Sequence, residues 1–231
     1  MSFLLRRSIS LLISAVLFLA LIPGLSAAGS SGSRDIIWEM VSNCLDPNLK
    51  DYCKLCRWPI APNAFTGDDS CGKTTEVWAK TTEFVAIRDR KMCGCPEDFV
   101  HGLAIPLHRI TGVEDPLRPD GIWEFAWTLA KNRIDAQTSI ALAVNPPARR
   151  SQDQLHVHIV RLRTDARLKL ARKKSAHICC LEGVWEKAAE LASDEGLNVY
   201  GVLVFRAPGK GYMVIVDKNS PEELYTEEKC H

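Results

Sequence analysis

Apolar positions recur along the chain with two periods, and each period predicts a kind of element. RDIIWEMVSNC (34–44) carries them at helical spacing, and IWEFAWTLAKNR (122–133) places aromatic and aliphatic residues at i, i+1, i+4 and i+5, with Trp123 and Trp127 one turn apart. TDARLKLARKK (164–174) predicts a basic helix and LEGVWEKAAELASD (181–194) another. Short runs predict strands at EFVAIRD (83–89), HGLAIPL (101–107), SIALAVN (139–145) and QLHVHIV (154–160). NVYGVLVFRA and GYMVIVD form a terminal hairpin across Pro208-Gly209-Lys210-Gly211. From Leu45 to about Lys80 the text turns to Pro, Gly, Asp, Asn and Cys, which predicts a loop-rich segment pinned by disulfides. Strands that follow one another, with helices between the groups, argue an α+β fold with an antiparallel sheet.

At 231 residues and 46% hydrophobic content, the chain can bury a full core. Lys and Arg total 29 against 28 acidic residues, so no global field draws it to nucleic acid, and none is expected as a partner. Residues 1–28 differ from the rest: a basic start, MSFLLRRS, an apolar stretch, and a small-residue exit with Ser26-Ala27-Ala28 in a cleavage pattern. That order reads as a secretory signal peptide. The alternative is an uncleaved anchor, because the 18 residues from Ser8 to Leu25 approach the roughly 20 that span a bilayer. Both readings put a single domain, 29–231, on the periplasmic or extracellular side of a membrane.

Export changes what the nine cysteines mean: at 44, 53, 56, 71, 93, 95, 179, 180 and 230 they read first as disulfides. Cys53-x-x-Cys56 with Cys93-x-Cys95 also has the form of two close thiolate pairs that would grip zinc. An odd total leaves one thiol free or paired outside the chain.

QDQLHVHIV (152–160) is the candidate chemistry. Strand parity puts Gln154, His156 and His158 on one face and sends Leu155, Val157 and Ile159 into the core behind. A solvated strand face would account for the pattern without any activity. A metal site would need a third ligand, which His108 or His101 would supply, although no acidic residue is spaced in sequence to help. A catalytic site needs less: a neutral imidazole attacks phosphorus directly, while a neighbouring histidine or amide holds the phosphoryl oxygens.

Several stretches in order then resemble the CDP-diacylglycerol pyrophosphatase family of the histidine triad superfamily. They are HGLAIPLHRITGVEDP, IWEFAWTLAKNR and SIALAVNPPARRSQDQLHVHIVRLRTD, spanning roughly residues 83 to 167. The resemblance implies a histidine-triad-like (HIT-like) fold with disulfide-rich additions. It also implies hydrolysis of CDP-diacylglycerol to CMP and phosphatidate through a nucleotidyl-histidine intermediate, with no cofactor and no metal. Carried over by position, the nucleophile is His156, His158 contacts the phosphate, and Gln154 stands where the superfamily has its first histidine. Asn145, Ser151 and His108 match positions that hold phosphate oxygens. Arg109, Arg149 and Arg150 lie near enough in sequence to neutralise phosphate charge. The membrane surface is an implied partner, with RLRTDARLKLARKK touching anionic headgroups, and a homodimer is common in the superfamily. Trp123, Phe125 and Trp127 are expected in the core, with packing against the nucleotide or the acyl entrance as the other reading. Two further functions stay open: a hydrolase or transferase acting on another nucleoside diphosphate derivative, and a non-catalytic, disulfide-stapled binding protein.

Overall fold

The computed structural model describes residues 33–43, 45 and 75–230. In chain order its elements are α1 (Ile36–Asn43), β1 (Val77–Lys80), β2 (Phe84–Arg88), β3 (His101–Pro106), α2 (Gly121–Lys131), β4 (Ile140–Val144), β5 (Val157–Arg161), α3 (Ala166–Leu170), β6 (Ala176–Ile178), α4 (Val184–Asp194), β7 (Gly201–Arg206), β8 (Tyr212–Asp217) and α5 (Pro221–Tyr225). The strands form one eight-stranded sheet in the order β1-β2-β3-β5-β4-β7-β8-β6. Every pairing is antiparallel, including those between strands that are not consecutive in the chain.

One face of the sheet is covered by α2 and α4. Val157 and Ile159 of β5 point into this layer beside Ala104, Leu142, Val204 and Val214, under Trp123, Trp127 and Trp185. Trp123 and Trp127 are at most 1% exposed, and their rings meet Trp185 at 4.7 Å and Tyr212 at 4.8 Å. Phe125 stacks on Phe84 at 5.5 Å, so the aromatic helix serves the core as expected.

The opposite face carries two separate covers. α1 lays Ile37, Met40 and Val41 over Val85, Ile87, Leu103 and Ile105. Farther along, Ala166 and Leu170 of α3 and Tyr225 of α5 close over Ala141, Ala143, Leu203, Phe205 and Ile215. His158 pairs across the sheet with Leu103 of β3 and Ala143 of β4, which belong to the two different covers. It therefore floors the gap between them. The gap follows from the residues themselves, since a helix crossing it would have to bury a polar ring against apolar side chains.

Four elements depart from the sequence expectation, among them the short strand β6, which was not expected. β1 lies within the stretch read as loop; it pairs with β2 through a register shift between Val77 and Ala79, and that irregularity hides the two-residue period. Trp78 of β1 packs so closely over Gly102 that an added Cβ there would fall 2.0 Å from the ring. The basic helix predicted over 164–174 is only Ala166–Leu170, because past Leu170 the chain offers an exposed alanine and then Arg, Lys and Lys, with no large apolar residue to bury. α5 was not expected, although Ser220 caps it by accepting from the Glu223 amide and Pro221 opens it.

Among the described cysteines, Cys95 is joined to Cys230, Cys93 is also disulfide-bonded, and Cys179 and Cys180 are exposed free thiols. The zinc reading fails at its described half, since Cys95 spends its sulfur on Cys230 rather than on a thiolate pair with Cys93. Cys53 and Cys56 lie outside the described residues, as do residues 1–28. No described helix is long and apolar enough to cross a membrane.

The Cys95–Cys230 bond spans 135 residues of sequence, a long loop whose closure restricts the unfolded chain. Cys230→Ser is expected to lower stability by about 2–4 kcal/mol, measured as a reduced urea midpoint for protein purified under oxidising conditions.

Candidate active site

His156 sits one residue before β5 begins, where the chain enters the sheet. Its Nδ1–H donates to the Gln154 carbonyl at 2.6 Å, so the ring proton is placed on Nδ1 and the Nε2 lone pair is left free. The ring is buried and lines a cavity of about 390 Å³. Burial holds its pKa below the ordinary histidine value of 6.5, so the imidazole is uncharged near neutral pH. A neutral, oriented ring with an exposed lone pair is what direct attack on phosphorus needs.

His158 stands beside it, the two rings 4.9 Å apart and tilted edge to face. Its Nε2 lies 3.2 Å from Oε2 of Glu222, and burial pushes its pKa down to about 3. Glu222 is 3% exposed and is delivered by α5 into a ring of donors. Asn145 Nδ2 donates to it at 2.6 Å, Lys91 Nζ at 2.5 Å and His101 Nε2 at 2.9 Å. Burial opposes its charge, but the His158 and His101 rings and the Lys91 ammonium hold it well below the usual carboxylate range. His101 in turn faces Asp89, with Nδ1 and Oδ2 3.0 Å apart. Burial would lower the His101 pKa, yet the two flanking carboxylates raise it. Asp89, whose own burial works the other way, is held at about 2 by His101 and the Lys91 amide. Asp89 and Glu222 thus face the His101 ring and the Lys91 ammonium, and Glu228 lies 3.3 Å from the same ammonium.

The acidic partners that sequence spacing did not reveal for His101 are therefore Asp89 and Glu222, the first 12 residues upstream and the second on the last helix. Ligand atoms of Asp89, His101 and His158 come within 4.8 Å of one another, close enough to share a cation. In the structure both His101 nitrogens already face carboxylates, and Lys91 pairs with both Glu222 and Glu228, so the carboxylates of the cluster outnumber its cations.

Gln154 does not share the groove with the histidines. Its amide nitrogen donates to the carbonyls of Pro106 (3.1 Å) and His108 (2.8 Å), and its oxygen accepts from the Ile110 amide (3.3 Å). These bonds lash the entry to β5 onto the exit of β3. An imidazole could not offer two donors and an acceptor at once. The expected side-chain orientation of His156 by Gln154 is replaced by orientation through the Gln154 backbone carbonyl.

Asn145 is buried at the end of β4, with its oxygen accepting from Ser220 Oγ at 2.8 Å. Ser151 is exposed on the cavity wall. His108 is exposed and outside the cavity, contributing only its carbonyl to Gln154. Arg150 is a structural clamp, bidentate on Glu114 at 2.7 and 2.5 Å and also paired with Asp153. Arg109 pairs with Asp35 and lies over Trp38, pinning α1. Arg149 lines the cavity with one long bond, 3.5 Å to Asn219.

α1 is fixed against the loop before β5 by Arg34 with Asp153 at 2.6 Å and by the Ile37 amide donating to Gln152 Oε1 at 3.1 Å. This contact sets Ile36, Ile37 and Met40 as an apolar wall that Ile87 and Leu103 continue, facing the polar end with His156, His158 and Arg149. Sequence reasoning missed Glu222, Lys91 and Asp89. The Ser-Pro-Glu-Glu cap signal was enough to find α5, but nothing local aims Glu222 at a histidine 64 residues earlier.

Imidazole titration followed by NMR should place the His156 midpoint below 6.5, His158 near 3 and His101 above 6.5. A His158 that titrates near 6.5 would contradict its burial beside a paired carboxylate.

Residues 80–195 match the family of CDP-diacylglycerol pyrophosphatase. A probable CDP-diacylglycerol pyrophosphatase of Mycobacterium leprae (strain TN) is 30% identical over 174 residues, 67% of this chain and 56% of its own length. The CDP-diacylglycerol pyrophosphatase of Mycobacterium bovis (strain BCG / Pasteur 1173P2) is 39% identical over 67 residues, 25% of this chain and 26% of its own. The protein of that name in Mycobacterium tuberculosis (strain ATCC 25177 / H37Ra) matches with the same figures. The chain thus spans little more than half the length of the Mycobacterium leprae relative. The family match runs from the end of β1 through α4 and takes in Asp89, Lys91, His101, Asn145, Gln154, His156 and His158, while Glu222 lies beyond it. It covers half of the sequence, and on that ground the chain belongs to the CDP-diacylglycerol pyrophosphatase family.

Proposed function

We propose that this chain hydrolyses CDP-diacylglycerol to CMP and phosphatidate through a nucleotidyl intermediate on His156. The observation that carries the reading is the Nδ1–H bond from His156 to the Gln154 carbonyl, which leaves Nε2 unprotonated at the cavity. In the first step the Nε2 lone pair forms a bond to the cytidylyl phosphorus, and the bond from that phosphorus to the bridging oxygen breaks. Phosphatidate leaves as an already stabilised anion, so this step needs little general-acid help. In the second step water bonds to the same phosphorus, the P–N bond breaks, and His156 recovers its lone pair. One water proton leaves with CMP or to solvent.

A site with an amide in place of the first histidine suits this substrate, because a phosphate leaving group asks for less protonation than an amine or an alkoxide. The cavity, about 390 Å³, lies within the roughly 300–1,000 Å³ of single small-molecule sites. That size fits a nucleotide and leaves the acyl chains outside. The likeness of β3, β4 and β5 to the histidine triad superfamily supports the same reading. Export, with the domain acting at a membrane surface, rests on residues 1–28.

His156→Ala is expected to lower CMP release from CDP-diacylglycerol on the order of 10³-fold or more, and acid quenching of the wild type with base-labelled substrate should trap label on His156. Undiminished release by the variant would remove the histidine mechanism, and loss of wild-type activity with a chelator would point to a metal at Asp89, His101 and His158. The pH profile of kcat/KM should fall on the acid side with a midpoint below 6.5, since His156 must be uncharged to attack and burial lowers its pKa.

A further inference from the structure

We infer that Arg149 is the residue that takes the charge of the substrate's second phosphate, the one that departs with the lipid. The inference rests on the function proposed above and adds to it the group that receives the leaving anion.

When His156 attacks the cytidylyl phosphorus, the bridging oxygen keeps the electron pair of the broken bond, and negative charge grows on the departing phosphate. A cation already paired with a carboxylate gains little by turning to that charge, since it must release one anion to meet another. Arg88 along the cavity pairs with Glu76, Lys91 with Glu222 and Glu228, and Arg150 with Glu114 and Asp153. Arg90 lines the same cavity and is likewise engaged. Arg149 pairs with no carboxylate among the described residues. Its guanidinium reaches only the side-chain oxygen of Asn219, at 3.5 Å from Nη2. A neutral amide at that distance parks the group without neutralising it. Of the three arginines near the histidines in sequence, Arg109 and Arg150 are thus spent on Asp35 and Glu114, and Arg149 keeps its charge.

The root of this side chain is fixed although its tip is not. Pro146 and Pro147 set the short turn that carries it, and the Arg149 amide donates to the Pro146 carbonyl at 2.9 Å. The residue after it is clamped by Glu114 and Asp153, and Asn145 before the turn is locked by Ser220 and Glu222. An exposed guanidinium on such a base can swing onto a phosphate without disturbing the fold, and its planar fork meets two phosphate oxygens at once. Arg149 and His156 line the same cavity of about 390 Å³, so the cation and the nucleophile face one bound molecule.

The test is Arg149→Gln, which removes the charge at an exposed position and leaves the Arg150 clamp alone. It is assayed on CDP-diacylglycerol and on the p-nitrophenyl ester of CMP, which offers His156 the same phosphorus but a leaving group without a second phosphate. On CDP-diacylglycerol kcat/KM should fall on the order of 10²-fold. On the ester it should hold, and that retained hydrolysis reports an intact site. Arg149→Lys, which keeps the charge and loses the fork, should recover part of the loss. Calorimetry on the full chain needs no turnover: the wild type should bind CDP more tightly than CMP, and Arg149→Gln should weaken CDP about tenfold with CMP unchanged. Equal losses on the two substrates make Arg149 a structural residue and overturn the inference, as does an undiminished kcat/KM on CDP-diacylglycerol. A wild type that releases no CMP from CDP-diacylglycerol removes the function proposed above. In that case, or if the ester is not cleaved, the two affinities decide alone, and a variant that weakens both nucleotides or neither overturns the inference.

Discussion

A buried carboxylate stays ionised only where donors converge on it, and the convergence on Glu222 is the constraint around which the rest of the site is arranged. His101 opens β3, Asn145 follows β4, His158 lies within β5, Lys91 follows β2, and Glu222 itself comes from α5 near the end of the chain. Lys91 and His101 flank one connection and Asn145 and His158 another, while Glu222 comes from far along the chain. They meet because β3, β5 and β4 are neighbours in the sheet and because α5 returns across the same face after β8. The Cys95–Cys230 bond and the Lys91–Glu228 contact tie the tail beyond α5 back to the turn that carries Lys91. The last ten or so residues thus act as a strap over the site, and the fold of the C-terminus and the state of His158 are one problem.

His156 is governed by a different and more local device. The three hydrogen bonds from Gln154 to the exit of β3 hold the chain irregular until Val157, and that irregularity turns the Gln154 carbonyl onto His156 Nδ1. A regular strand would have spent this carbonyl on a ladder bond. Gln154 therefore contributes through its backbone to the orientation of His156 and through its amide to the scaffold. Of the two histidines of the site, His156 is fixed from behind by a carbonyl, whereas His158 Nε2 lies between the Asn145 amide nitrogen at 3.5 Å and Glu222 Oε2 at 3.2 Å.

Much of this was legible in the sequence, and the rest was hidden for identifiable reasons. The alternation from Leu155 to Ile159 set His158 apart from the core, and the aromatic spacing in 122–133 gave α2. Gln154 was assigned to the groove because parity was extended to a position three residues before β5 begins. Arg150 and Arg109 looked available for phosphate because proximity in sequence says nothing about Glu114 and Asp35, which occupy them. Glu222 had no signal beyond a helix cap, since its role exists only after eight strands have been ordered. β1 escaped because its register slips at the position where a two-residue period would have shown it.

The charge of the cluster bears on how a diphosphate would be held. Asp89, Glu222 and Glu228 face His101 and Lys91, so these cations are already committed to carboxylates. Arg150 is likewise committed, and its bidentate bond to Glu114 forms part of the support for the loop that precedes β5. Compensation for phosphate charge then falls to the other cations that line the cavity, among them Arg149 with its long bond to Asn219, and to N–H donors around the two histidines. Such a site gains its selectivity less from net positive charge than from where hydrogens and lone pairs are fixed, because a pocket whose cations are already paired does not attract every anion that approaches it. That places the discriminating weight on His156 and His158, and so on the groups that face their ring nitrogens.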